Sequence, residues 1–109
     1  MSVDLTKFVV TMRVLAEVGD ERDAQDQRWG AQNLPDGTGG GFWVNAANDA
    51  KLECEAARGR SEMTFRHVLD EEVCEAFAES DPIRLREELI QVAAVAVKWI
   101  EAIDRRADA

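Results

Sequence analysis

After Pro82 the chain runs to about Arg106 without another glycine or proline, and Leu85, Leu89, Val92, Val95, Ala96, Trp99, Ile100 and Ile103 recur at steps of three and four. That is the period of an α-helix with one apolar face, opened by Asp81 as cap and Pro82 in the first turn. Such a helix has to cover its stripe with other elements, and the rest of the chain offers no sheet for it. The cluster Phe8, Val9, Val10 could seed a short strand, but no second alternating run exists to pair with it. The fold class expected is all-α.

Three more helices follow from the same reasoning. Leu5, Phe8, Val9, Met12, Leu15, Ala16 and Val18 predict a helix from Asp4 to about Gln32, which Gly19 and Asp20 could bend or break. An alanine-rich stretch from Val44 to Arg58 favours helix, with Gly59 placed to end it. Thr64 offers a cap for a third helix to about Glu79. Between the first and second lies NLPDGTGGG, from Asn33 to Gly41, whose turn signal and glycines mark residues 33–43 as a flexible loop. It lacks the Gly-Lys-Ser/Thr ending and preceding strand of a phosphate loop, so it is either a connection or a lid over a ligand. Four helices with short connections predict a helical bundle, one domain over residues 1–109.

Charge and cysteine usage narrow the function. A net charge of −9, from 22 acidic against 13 basic residues, opposes binding to extended DNA or RNA. It does not exclude a small phosphorylated ligand, because a divalent cation can stand between phosphates and carboxylates. Cys54 and Cys74 form no Cys-x-x-Cys pair and His67 is the only histidine, so no zinc cluster is expected and both thiols are read as reduced. No signal-peptide pattern and no apolar run of the roughly 20 residues needed to span a bilayer is present, which predicts a cytoplasmic protein without a membrane partner.

The third and fourth helices carry the chemistry. Glu72 sits within the stripe Phe65, Val68, Leu69, Val73, Ala76, with Glu75 at its edge, whereas Asp70 and Glu71 are expected to point elsewhere. Glu88 sits within the fourth helix's stripe, with Gln91 at its edge. Each helix thus puts an acid where leucine is expected and another oxygen-bearing side chain three residues on. Burying an ionised carboxylate costs several kcal/mol even after relaxation, and the balance is restored either by a hard cation such as magnesium or manganese or by salt bridges to Arg66, Arg84, Arg86 or Lys98. A carboxylate-bridged di-iron bundle would want Glu-x-x-His pairs, for which His67 alone is too few. Trp29, with Gln25, Asp26, Gln32 and Asn33 as helical neighbours, suits either core packing or stacking on a base whose edge Gln25 and Asn33 would read. Trp43 is expected to anchor the loop, and Trp99 to lie in the core.

Glu71-Glu72-Val73-Cys74-Glu75 followed by Glu88-Leu89-Ile90-Gln91 resembles the EExxE...ExxD motif of the MazG-like superfamily of all-α nucleotide pyrophosphatases. The wider stretches RWGAQNLPDGTG, MTFRHVLDEEVCEAF and REELIQVAAVAVKWIEAIDRR look like its small actinobacterial and phage-type branch, so the resemblance covers about Glu21 to Arg106. It implies a MazG-like four-helix bundle completed as a homodimer or dimer of dimers, and magnesium-dependent conversion of nucleoside triphosphates to monophosphates and pyrophosphate. It makes Glu72, Glu75 and Glu88 metal ligands and puts Gln91 where the family has Asp. Glu71, adjacent to those ligands, is a candidate to position the attacking water or else a solvated helix residue, and Arg84, one turn before Glu88, either contacts phosphate or is a surface charge. The alternative is a catalytically silent helical dimer acting as an interaction or regulatory module.

Overall fold

The computed structural model describes residues 5–107, and these form four α-helices and no strand: α1 (Leu5–Trp29), α2 (Gly41–Gly59), α3 (Phe65–Ala78) and α4 (Pro82–Ala107). The start expected at Asp4 lies outside the described residues. None of the four helices is long and apolar enough to cross a membrane.

Helix α1 runs unbroken through Gly19 and Asp20, because one interior glycine costs only about 1 kcal/mol and a 25-residue ladder of hydrogen bonds absorbs it. It ends three residues earlier than expected, at Trp29. Gly30 adopts φ +70 there and donates its N–H to Asp26 O at 2.8 Å, a left-handed stop that glycine takes without strain. Helix α2 begins earlier than its alanine content suggests, at Gly41, so that Phe42 and Trp43 lie inside it. Its end is closed by Ser61 rather than Gly59: Ser61 takes φ +57, and the N–H groups of Arg60, Ser61 and Glu62 satisfy carbonyls of Ala56, Ala57 and Arg58.

The chain divides into two compact units, one of residues up to Pro35 with those from Val97 on, the other of Asp36–Ala96. In the second unit α2 packs against α3. The buried residues there are Ala50, Cys54 and Ala57 of α2, Ala76 of α3 and Leu85 of α4, mostly small side chains that let helix backbones approach. In the first unit Val14 of α1 and Val97 of α4 are buried, and Thr11 Oγ1 donates to Glu101 Oε1 at 3.1 Å. The remaining apolar face of α1 is open: Leu5, Phe8, Val9, Met12, Leu15 and Val18 are 42–68% exposed.

Two stripes differ from the sequence pattern. Along α4 the covered line runs through Leu85, Glu88, Val92, Val95, Ala96, Trp99 and Ala102, which leaves Leu89, Ile100 and Ile103 on an uncovered flank. Along the middle of α3 no side stands fully open: every residue from Val68 to Glu75 is half-buried and Ala76 is buried, while Arg66 and Phe77 near its ends are exposed. Asp70 and Glu71, expected to point away, are therefore half-buried as well.

The glycine-rich segment is tied at its end rather than free. Thr38 Oγ1 donates to Glu79 O at 2.6 Å and the Gly39 N–H to Phe77 O at 2.8 Å, so two of the carbonyls left over at the end of α3 are satisfied from the loop. Gly39 has φ +88, and a Cβ there would sit 3.1 Å from Ser80 Cβ, which explains glycine at this position. Trp43 packs edge-on against Phe77, centroids 4.8 Å apart, and holds the start of α2 to the same place.

Candidate metal centre

The acidic site depends on how α3 starts and how quickly α4 follows it. Thr64 accepts the His67 N–H on its hydroxyl at 3.3 Å, and the Thr64 N–H donates to His67 Nδ1 at 3.1 Å, a reciprocal cap with histidine in the place usually held by Glu or Gln. His67 is thus occupied at the helix start instead of facing the acids, with Arg66 Nη2 3.3 Å from its Nε2. Glu79, Ser80 and Asp81 alone connect α3 to α4, and Asp81 Oδ1 accepts the Ile83 N–H at 3.2 Å to begin the new helix. So short a connection keeps the first turns of α4 near α3, and the chain reversal lets Glu88 reach Glu72 and Glu75.

That reversal brings three carboxylates together. One oxygen from each of Glu72, Glu75 and Glu88 lies within 4.8 Å of the other two, and all three residues are half-buried. Glu72 and Glu75 share a face of α3 by their i,i+3 spacing, and Glu88 comes across from α4. Glu72 Oε2 and Glu88 Oε2 are buried without a hydrogen-bond partner. No ion pair of the described residues reaches them: Arg66 pairs with Glu53 at 3.5 Å, and Arg84, 73% exposed, pairs with Asp81 at 3.8 Å. The salt-bridge alternative for these acids therefore has no observed partner.

The two acids of α3 in this cluster are harder to ionise than ordinary glutamates. Burial, and then the charges of Glu72, Glu88 and Glu71, push the Glu75 carboxyl up to about 7, with Lys51 opposing. Burial also raises Glu72, with Glu88 and Glu71 adding to it. Glu71 itself lies toward α2, where its carboxylate sits beside the Cys54 thiol. Burial and then that neighbour push the thiol up. Cys74 is raised in the same way, by burial and by Asp70 at 3.6 Å. Both cysteines are free thiols.

The donor set is chemically uniform: three carboxylates, no thiolate and no imidazole, with two oxygens lacking any donor. It fits a hard divalent cation such as magnesium or manganese and is unsuited to zinc or copper. Gln91, one turn beyond Glu88, is exposed, as is Arg84. Gln25, Trp29 and Asn33 belong to the other compact unit. There Trp29 is 62% exposed rather than packed in a core, with the Arg28 guanidinium 6.0 Å from its ring, and Gln25 is hydrogen-bonded to Arg22 and Glu21 on its own helix.

Lys51 and Cys54 of α2 are the neighbours that a helix-by-helix reading of the acids misses. The buried small residues Ala50, Cys54 and Ala57 were the available signal, since they mark the face α2 turns to α3. Comparison with protein-family models, with curated proteins and with solved structures finds no match.

Proposed function

We propose that this chain is a magnesium-dependent nucleotide pyrophosphohydrolase of MazG-like type, converting nucleoside triphosphates to monophosphates and pyrophosphate. The observation that carries the reading is the convergence of Glu72, Glu75 and Glu88 within 4.8 Å with two carboxylate oxygens unpartnered. A folded chain does not ordinarily leave buried carboxylates without a donor, and a metal-bridged phosphate ligand would offset their repulsion.

Glu72, Glu75 and Glu88 would hold the ion, with Gln91 able to add an amide oxygen. When bound, the cation supplies charge neutralisation for phosphate oxygens and acidifies a coordinated water. The protein's part is to fix three carboxylates on two helices, so that a cation held by them would receive the phosphate chain at a preset position. Glu71 is enclosed next to the triad and can accept a proton from a water there. Arg84 is paired with Asp81 at 3.8 Å in an exposed contact that a phosphate would have to displace to recruit it.

The assembly proposed with this function is a homodimer. Six apolar side chains along α1 stand open, and the adjoining cleft between α1 and the end of α4 carries both signs of charge, Arg13 and Arg105 against Glu17, Glu101 and Asp104. A mixed patch of that kind is complementary to itself about a two-fold axis.

The deciding experiment is a panel of nucleoside triphosphates incubated with magnesium and assayed for pyrophosphate. Release that stops with a chelator supports the proposal. No release from any nucleotide overturns it in favour of a silent helical module.

A further inference from the structure

We infer that Lys51 of α2 is a phosphate-contacting residue at the rim of the Glu72–Glu75–Glu88 cluster, aimed at the phosphate chain rather than at a nucleoside. The inference rests on reading the triad as a metal and phosphate site, and it adds a third helix to that site.

The placement follows from helix register. Helices α2 and α3 run antiparallel: Trp43 near the start of α2 meets Phe77 near the end of α3, and Glu53 farther along α2 meets Arg66 at the start of α3. Cys54 lies beside Glu71. One turn back along α2 is Lys51, and one turn on along α3 is Glu75, so the antiparallel pairing brings these two side by side. Side chains lean toward the N-terminus of their own helix. The lysine therefore leans along α3 in the direction of Glu75, close enough for its charge to act on that carboxyl but not paired with it.

Two further observations separate Lys51 from an ordinary structural cation. It borders Ala50 and Cys54, both buried, yet is itself exposed, the disposition of a side chain whose stem lies on packed surface and whose ammonium stays in water. It also forms no ion pair with a described residue, although its charge acts on Glu75. Arg66 and Arg84, by contrast, already have acidic partners. An uncommitted ammonium next to an acidic triad would repel a free cation and attract the phosphates that cation carries. Such a group selects for the metal–phosphate complex over the bare metal.

The test uses inorganic tripolyphosphate, which offers the phosphate chain without a base or sugar, and the full-length protein. Calorimetric titration with tripolyphosphate in saturating magnesium should show Lys51→Gln binding roughly ten- to thirtyfold more weakly than wild type, as expected for one charge-assisted hydrogen bond, with Lys51→Arg recovering part of the loss. Magnesium alone, titrated without phosphate, should bind Lys51→Gln as tightly as wild type or tighter, because a nearby positive charge has been removed. Circular dichroism melting checks that Lys51→Gln remains folded. Unchanged tripolyphosphate affinity in Lys51→Gln overturns the inference, as does a wild type that binds none. Lys51-dependent binding in a protein that hydrolyses no nucleotide keeps the inference and overturns only the enzymatic reading.

Discussion

Helices α1 and α3 are both amphipathic on paper, yet they meet opposite fates. Along α1 the apolar positions Leu5, Phe8, Met12 and Leu15 stay open, whereas along α3 even the acids Asp70, Glu71, Glu72 and Glu75 are half-buried. Half-buried acids cost desolvation that solubility alone does not require, and an uncovered apolar face is the kind of surface on which the proposed dimer would form. The proposed site draws on the first difference and the proposed interface on the second.

The largest expected effect tests the enclosed acids. Glu72→Ala and Glu88→Ala should each lower magnesium-dependent pyrophosphate release by roughly 10²–10³-fold or more, the scale of losing a group that fixes charge at the reacting centre. The fold should survive, and without metal each variant should melt several degrees higher, since about 1 kcal/mol of relieved repulsion is worth about 4–8 °C in a domain of this size. Wild-type turnover in either variant would show that α3 is enclosed for packing alone.

The next effect tests the open face. Light scattering at micromolar concentration should give twice the chain mass, and Met12→Glu combined with Leu15→Glu should weaken association at least roughly a hundredfold, because each carboxylate would be buried opposite its symmetry mate. Helicity should be unchanged, both positions being exposed in the single chain. A wild-type monomer would make the α1 face plain surface and dissolve the contrast with α3.

The four helices were legible because period, caps and breakers are local: Thr64 and Asp81-Pro82 stand where the pattern needs them. The pairing of Glu72 with Glu88 was legible too, since acids inside apolar stripes imply that the stripes meet. What a single helix cannot disclose is which neighbours arrive. Glu71 was expected to face away because α3's own pattern knows nothing of Cys54 on α2. For the same reason Leu89, a member of the expected stripe, is exposed: a stripe shows which residues prefer burial, and only packing decides how far round the helix burial extends. The loop residues Thr38 and Gly39 cap α3 from about 40 positions away, a link for which no local rule exists.

A smaller effect follows from Glu75, whose folded carboxyl is raised to about 7 against an ordinary 4.5. Between those values the folded protein binds more protons than the unfolded chain, so metal-free stability falls as pH rises from about 4.5 to about 7 and is lowest above that. The loss should be on the order of 2 kcal/mol, seen as a lower melting temperature at pH 8 than at pH 5.5 in the presence of a chelator. Magnesium should reverse the trend at pH 8 and have little effect at pH 5.5, where a proton already occupies Glu75. An apo melting temperature that rises steadily with pH would mean that the triad is hydrated or paired in solution, no more enclosed than the face of α1.

The smallest effect concerns Gln91, the exposed member of the second half-motif, where an amide stands in place of the expected carboxylate. In Gln91→Asp the nucleotide-free site gains a charge near Glu88, and magnesium should bind a few-fold tighter by calorimetry. The gain is limited because Gln91 is open to water, where a carboxylate's attraction is strongly screened. Hydrolysis should change less than affinity, since a triphosphate brings its own charge and a site that holds the bare ion more tightly gains nothing in the transition state. Gln91→Ala should weaken the ion slightly if the amide oxygen reaches it directly or through one water. Equal metal affinity in wild type, Gln91→Asp and Gln91→Ala would confine the site to the enclosed acids of α3 and to Glu88. The centre would then end where the covered line of α4 turns outward.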